Sequence, residues 1–509
     1  MIVILDFGSQ TTQLIARRVR ELKVYCEILP HTASFESIQK KKPSGLILSG
    51  GPASVNGSGK SPSCEEKIVG GQIPVLGICY GMQILAHKHG GKVSQAHRRE
   101  FGRAEITVES GSELFKSLSP NLSVWMSHGD EVQSLPQGFV RLARTATSEV
   151  AAMAHPDKKL YGVQFHPEVA HTPQGKQILS NFLFNVCNES PDWKMSSFIE
   201  KEVQNIRAQV GKEKAVCALS GGVDSAVAAV LIHQAIGKQL HCIFVDNGLL
   251  RYGEKDRVRD VFGKRFKGQI RIVDARKDFL RKLKGVADPE KKRKIIGREF
   301  INVFQKEAKR LGNIKFLVQG TLYPDVIESQ SVKGPSSVIK THHNVGGLPK
   351  NMNLSLIEPL KFLFKDEVRE LGKELGLPPE ILNRHPFPGP GLAVRILGDV
   401  TEEKLAIVSH VDKIVEEEIR AAGIYDKLWQ AFAVLIPVRT VGVMGDARTY
   451  ERVAVLRAVT SQDAMTADWA DIPKPVLSKL SNRIINEVRG VNRVVYDISS
   501  KPPATIEWE

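Results

Sequence analysis

The six residues Ser220-Gly221-Gly222-Val223-Asp224-Ser225 constrain this chain more than any others. They follow a β-like apolar run, Ala215-Val216-Cys217-Ala218, and lead into a helix-like run over 226–232. A strand that turns through two glycines into a helix presents bare backbone N–H groups and the positive end of a helix dipole at one point. Such a point binds phosphate. The serine hydroxyls add donors, whereas Asp224 cannot hold an anion directly and is better suited to a magnesium ion bridging phosphate oxygens. For a lone Ser-Gly-Gly the alternative is an ordinary turn with Asp224 or Ser225 as a helix cap. The full run between strand and helix favours the phosphate loop.

No lysine follows the glycines, so this is not a Walker A loop. The stretch resembles the PP-loop of the ATP pyrophosphatases. That resemblance implies an ATP site that grips the β and γ phosphates as a leaving pyrophosphate, and hence adenylylation of a substrate oxygen. It assigns Ser220, Gly221, Gly222, Val223, Asp224 and Ser225 to ATP, with Val245 and Gly320 at the ends of the neighbouring strands.

With 509 residues the chain has room for roughly three domains. Hydrophobic residues make up 42% and charged residues 25%, the balance of a globular protein rather than a disordered one. No apolar run approaches the ~20 residues of a membrane span, and the sequence opens directly on Ile2-Val3-Ile4-Leu5. The expectation is a cytoplasmic protein with no membrane partner. The six cysteines lack C-x-x-C pairs, which argues against zinc and against a disulfide framework. A net charge of +15 suits nucleic acid or small polyanionic substrates alike, but no nucleic-acid-binding module is recognisable and aromatics are only 6%.

Over residues 1–190 short apolar runs alternate with helical patterns, as in an α/β domain. Within it, Gly77-Ile78-Cys79-Tyr80-Gly81 has the form of a nucleophile elbow, where flanking glycines permit a tight turn that lifts the nucleophile above a sheet. A helix N-terminus there favours a thiolate. Free cysteine is commonly a buried small hydrophobe, which suits Cys26, Cys187, Cys217 and Cys242. An imidazole and a group to orient it come from His166 and Glu168, two residues apart on one side of an extended segment. His87, His89 and His128 are read as surface or structural residues.

Gly77 to Gln83, Met126 to Asp130 and Phe165 to Glu168 together resemble the class I glutamine amidotransferases. The resemblance casts Cys79 as nucleophile, His166 as base and Glu168 as orienter. It makes the backbone N–H groups of Gly51 and Tyr80 an oxyanion hole and puts Gln83 at the glutamine site. For Gly50-Gly51-Pro52 taken alone, a plain loop is the alternative.

Glu189-Ser190-Pro191-Asp192-Trp193 reads as a linker into a second α/β domain, 191–384. Asp325, after a strand-like run over 316–321, is a second candidate magnesium ligand, with an exposed loop aspartate as the alternative. The polar, glycine-bearing segment that holds Lys340, His342 and His343 suits either a lid over phosphates or a solvated loop. From His385-Pro386-Phe387-Pro388-Gly389-Pro390-Gly391 the character changes to a smaller α+β domain, 385–509, whose apolar residues continue to Trp508 and suggest a docked end.

An amidotransferase followed by a PP-loop domain and these C-terminal motifs resembles, over essentially the whole chain, the glutamine-hydrolysing GMP synthetases. That resemblance implies Mg-ATP, XMP and L-glutamine as reactants and GMP as product, the last step of guanine nucleotide synthesis. It places Arg293, Lys501 and Glu507 at the XMP site and makes the C-terminal domain the seat of a homodimer. ATP and XMP then account for the basic excess without nucleic acid. Another PP-loop amidase or a tRNA-modifying PP-loop protein is the competing reading, and the Cys79 domain counts against both.

Overall fold

The computed structural model describes residues 1–57, 61–109, 111–330, 354–444, 446–461 and 466–509. The chain forms two compact units, 1–197 and 198–509.

The first unit is built on a nine-stranded sheet. Its strands are β1 (Ile2–Asp6), β2 (Cys26–Pro30), β3 (Gly45–Leu48), β4 (Val75–Ile78), β5 (Lys92–Val108), β6 (Asn121–Ser134), β7 (Val140–Arg144), β8 (Ala152–His155) and β9 (Leu160–Val163). They lie in the order β2-β1-β3-β4-β9-β8-β7-β5-β6. Neighbours from β2 to β9 run parallel, and the strands beyond β9 pair antiparallel. β3, β4 and β9 are buried at every position, as unbroken apolar strands covered on both faces must be. Helix Tyr80–Lys88 lies tight against them because its Gly81 and Gly77 of β4 leave no side chain in the way. A Cβ on Gly81 would stand 2.4 Å from the Leu48 carbonyl oxygen, and one on Gly77 2.5 Å from the Gly81 carbonyl carbon.

Residues 189–193 are no free linker. Glu189 pairs with the Met1 ammonium, the Trp193 N–H donates to the Lys23 carbonyl, and the Arg20 guanidinium lies over both the Tyr25 and Trp193 rings. These contacts fasten the segment to the first unit.

The second unit holds two sheets. One is a five-stranded parallel sheet of β10 (Lys214–Leu219), β11 (Leu240–Asp246), β12 (Ile270–Asp274), β13 (Ile314–Val318) and β14 (Ser355–Ile357), in the order β12-β11-β10-β13-β14. Strand order reverses between β10 and β13, so the connections leaving these two strands diverge and open a crevice at their carboxyl ends. The other sheet pairs β15 (Gln430–Met444) with β16 (Ala447–Thr460) as a long hairpin, and adds β17 (Asp468–Trp469) antiparallel and β18 (Val491–Asp497) parallel to β16. Helices Glu402–Ala421 and Lys474–Glu487 pack against it.

One hydrophobic core runs from Val216 and Ile243 of the parallel sheet through Leu392 and Ile396 to Val411, Leu456 and Ile484. The proline-glycine run near 385–391 crosses this core. Gly391 sits at φ +66° with its missing Cβ 2.2 Å from the Leu249 carbonyl oxygen, and the Leu392 N–H donates to that oxygen at 2.8 Å. His385 stacks on Tyr425 at 3.7 Å, takes the Ala431 N–H on Nδ1 and donates Nε2–H to the Tyr425 carbonyl. Both ring nitrogens are thereby committed in the neutral form, and burial lowers the His385 pKa to about 4.

Candidate active sites

In the first unit the turn between β4 and helix Tyr80–Lys88 forces Cys79 to φ +50°, ψ −105°, a conformation that non-glycine residues rarely adopt. Its N–H donates to the Val163 carbonyl at 2.8 Å, pinning the turn to β9. His166 lies just beyond the end of β9, and its own N–H is held by the Trp125 carbonyl of β6 at 3.0 Å. The imidazole donates Nδ1–H to Glu168 Oε1 at 2.8 Å.

Glu168 is fully buried. Its Oε1 also accepts from Thr11 Oγ1 at 2.6 Å, and its backbone carbonyl accepts from Arg18 Nε at 3.0 Å. Oε2 has no hydrogen-bond partner among the described residues. Burial alone would lower the His166 pKa, but the interactions with Glu168 and the neighbouring Cys79 outweigh it and raise the pKa to about 10.

The glycine loop after β3 closes over this pair. A Cβ on Gly50 would lie 3.3 Å from His166 Cε1 and 3.8 Å from Cys79 Cβ, and one on Gly51 would lie 3.2 Å from Tyr80 Cδ1. The structure thus brings Cys79, His166, Glu168, Gly51 and Tyr80 to one place. Gln83 is there as well, buried, with its amide nitrogen donating to the Asp130 carbonyl at 2.9 Å and to Gln164 Oε1 at 3.4 Å. The remaining cysteines are free and buried, and burial pushes the Cys64 thiol up to about 11 and raises that of Cys187. His128 is structural: buried, it bonds Glu100 Oε2 at 3.0 Å and the Asp130 carbonyl at 3.0 Å.

In the second unit the turn after β10 lies at the crevice. Gly221 takes φ +77°, and Ser225 Oγ ties the turn by bonding the Ser220 N–H at 3.2 Å and the Gly222 carbonyl at 3.1 Å. Gly222 stands at the cap position of helix Val223–Ile236 with no side chain capping it, so neither Asp224 nor Ser225 serves as the cap. Gly320, just past β13, meets this turn: a Cβ there would be 3.1 Å from the Asp224 carbonyl carbon. Val245 is buried at the end of β11.

Lys365 Nζ bonds both Asp224 oxygens, at 2.6 and 2.7 Å. Arg384 Nη1 donates to the Gly221 carbonyl at 3.0 Å and to Glu254 at 2.7 Å. Asp325 accepts the Leu322 N–H at 2.9 Å, at the start of helix Tyr323–Gln330. Among the described residues, no group of three or more His, Cys, Asp or Glu side chains is placed to hold a metal. Lys340, His342 and His343 lie outside the described residues.

The terminus is docked. Arg457, fully buried, donates to the Thr505 carbonyl at 3.2 Å, and Trp508 Nε1 donates to Asp497 at 2.9 Å. Glu507 is gripped by Arg395 at 3.1 and 3.2 Å and by Gln430 at 2.6 Å. Arg293 donates to the Glu509 main-chain oxygen, and Lys501 exchanges backbone bonds with Ala467.

Two curated relatives decide the family. A glutamine-hydrolysing GMP synthase from Carboxydothermus hydrogenoformans is 58% identical over 508 residues, spanning 100% of this chain and 99% of its own. One from Brachyspira hyodysenteriae is likewise 58% identical, with the same coverage. This chain belongs to the glutamine-hydrolysing GMP synthases. The profile for class-I glutamine amidotransferases matches residues 3–186, that for NAD synthase 193–247, and that for the GMP synthase C-terminal domain 417–508. Among solved structures, a glutamine amidotransferase from Thermotoga maritima is 20% identical, covering 37% of this chain and 98% of its own with a TM-score of 0.32.

Four further residues stand at the sites, beyond those the sequence patterns mark: Gln164, Thr11, Lys365 and Arg384. Gln164 had a usable signal, since it shares the side of the extended segment that carries His166 and Glu168. The others had none, because Thr11 is 157 residues from Glu168 and Lys365 is 141 from Asp224.

Proposed function

We propose that this chain makes GMP at two chemically separate stations, with Cys79 gathered beside the hydrogen-bonded His166–Glu168 pair as the observation that carries the assignment. The Cys79 sulfur attacks the carboxamide carbon of L-glutamine. As the C–S bond forms, the N–H groups of Gly51 and Tyr80 stabilise the oxyanion. His166 delivers a proton to the departing nitrogen, the C–N bond breaks, and ammonia leaves a glutamyl thioester. Water, deprotonated by His166, then attacks the thioester, and glutamate departs as the sulfur regains its charge. Glu168 keeps the Nδ1 proton in place, which leaves Nε2 for this traffic.

At the second station the C2 oxygen of XMP attacks the α phosphorus of ATP, and pyrophosphate leaves into the turn formed by 220–225. Ammonia adds at C2 and expels AMP, giving GMP. The exposed N–H groups of the turn and the start of the helix stabilise the leaving pyrophosphate. Lys365 brings a cation to the same edge. A magnesium ion held mainly by phosphates needs only one or two protein carboxylates, and Asp224, partly exposed at the mouth of the turn, fits that demand with Asp325 as the second candidate. When bound, it would neutralise phosphate charge there.

Arg293, Lys501 and Glu507 are assigned to XMP, supported by the docking of the terminal segment beside the helix that carries Arg293. The assembly proposed is a homodimer through the β15–β16 hairpin, where Val441 and its cross-strand partner Tyr450 are both more than half exposed and Val443 is 73% exposed. The protein is assigned to the cytoplasm, with no membrane or nucleic-acid partner; no helix among the described residues is long and apolar enough to cross a membrane. The testing experiment is Cys79→Ala. It abolishes GMP synthesis from glutamine and leaves synthesis from ammonium intact, and loss of both in a folded variant refutes the two stations.

A further inference from the structure

The Cys79 sulfur has neighbours of opposite character. The Ser127 carbonyl, 3.7 Å away, can only accept a hydrogen bond, and so favours the thiol. The Gln164 side-chain nitrogen, 3.6 Å away, faces the sulfur from a fully buried position. Which end of the Gln164 amide points at the sulfur is set by a chain of bonds that starts at a backbone oxygen. The Asp130 carbonyl accepts from His128 Nδ1 at 3.0 Å and from Gln83 Nε2 at 2.9 Å. A carbonyl cannot donate, so the Gln83 amide must turn its NH₂ toward Asp130. That same NH₂ lies 3.4 Å from Gln164 Oε1, which fixes the Gln164 oxygen toward Gln83 and leaves the Gln164 NH₂ toward the sulfur.

We infer that Gln164 is a catalytic hydrogen-bond donor to the Cys79 thiolate, and that Gln83 is a positioning residue that sets the polarity of the Gln164 amide. The inference rests on Cys79 being the nucleophile. A donor at this position is of most use when the sulfur is anionic: before attack, and again when sulfur leaves the thioester carbon. A hydrogen bond to a charged acceptor in a buried site is stronger than one to a neutral acceptor, so the amide favours thiolate over thiol. His166 acts on the same sulfur by accepting and returning its proton. Gln164 moves no proton and fixes where the charge is held.

The test uses full-length protein and iodoacetamide, with alkylation of Cys79 followed by peptide mass spectrometry between pH 5 and pH 10. Gln164→Met removes the donor at similar volume, and Gln164→Glu replaces it with an acceptor of the same shape. Both are expected to slow alkylation at pH 7 by about ten- to a hundredfold, Glu more than Met, and to move the pH profile upward. Rates should converge with wild type at the alkaline end. Gln83→Met, which leaves Gln164 in place, is expected to shift the profile in the same direction by less. Far-ultraviolet circular dichroism and thermal melting should match wild type in all three and show that the unit carrying Gln164 is folded.

A wild-type alkylation profile in folded Gln164 variants overturns the inference. So does a uniform loss of rate with no movement along the pH axis, which is the mark of a packing role. Should either Gln164 variant fail to fold, the Gln83→Met profile decides. Failure of the nucleophile assignment is separately visible, because Cys79→Ala would then retain glutamine-dependent synthesis.

Discussion

Replacing Glu168 by Gln keeps the shape of the side chain and removes its charge, and the surrounding hydrogen bonds dictate the consequence. Oε1 accepts two of them, from His166 Nδ1 at 2.8 Å and Thr11 Oγ1 at 2.6 Å, whereas Oε2 sits buried with no partner among the described residues. If the new amide keeps its oxygen toward His166, its NH₂ is buried with nothing to accept it. That costs about 1–3 kcal/mol of stability. If the amide flips, an NH₂ faces Nδ1, the proton is displaced to Nε2, and His166 can no longer take one from the sulfur.

Either way the charge-assisted bond that helps raise the His166 pKa to about 10 is lost. A bond of that kind is worth about 1.5–3 kcal/mol, so glutamine-dependent synthesis should fall roughly ten- to a hundredfold or further, with ammonium-dependent synthesis unchanged. The pH dependence of stability carries the same signature. Because the folded pKa is above the ordinary value of 6.5, the wild-type protein gains stability from His166 below about pH 6.5 and loses it as the pH rises toward 10. Glu168→Gln should flatten that alkaline loss in chemical denaturation of the first unit. Wild-type glutaminase turnover, or an unaltered alkaline slope, would refute the reasoning.

His385 works in the opposite direction. Its folded pKa of about 4 means that the unfolded chain takes up a proton which the native state refuses, so stability falls as the pH drops from about 6.5 to 4. His385→Gln should be less stable at pH 7.5 but show a shallower acid slope in thermal melts, and an unchanged slope would count against a buried neutral imidazole. Lys501→Ala should raise the KM for XMP roughly ten- to a hundredfold and that for ATP far less, as measured by initial rates. An XMP KM within a factor of two of wild type would withdraw Lys501 from the substrate site. Val443→Asp, placing a charge on a residue that is 73% exposed, should yield a monomer in light scattering, against the dimer proposed for the parent. A variant that remains dimeric would move the interface elsewhere.

Local chemistry was legible in the sequence and long-range closure was not. The elbow at Cys79, the His166–Glu168 spacing and the Ser220–Ser225 turn each sit within a few residues, where strand, glycine and helix signals fix the backbone directly. Lys365 and Arg384 reach the same turn only after the chain has built a five-stranded sheet whose order no local pattern specifies. Composition misled where polar and proline residues fasten rather than separate. The segment 189–193 has the composition of a linker, yet Trp193 is held by the Arg20 guanidinium, an interaction no local pattern specifies. The run near 385–391 reads in sequence as a change of architecture, but Gly391 and Leu392 lock it against Leu249, so the core continues across it.

The most direct test tracks all products of one reaction. Purified protein is incubated with XMP, Mg-ATP and glutamine labelled with ¹⁵N in its amide, and GMP, AMP, pyrophosphate and glutamate are quantified together. Equal amounts of GMP, AMP and pyrophosphate are expected, with at least as much glutamate and with ¹⁵N in the GMP amino group. With Cys79→Ala the label should reach GMP from ¹⁵N-ammonium and not from glutamine. Formation of ADP and phosphate in place of AMP and pyrophosphate, or GMP that carries no label from glutamine, would contradict the proposed reaction.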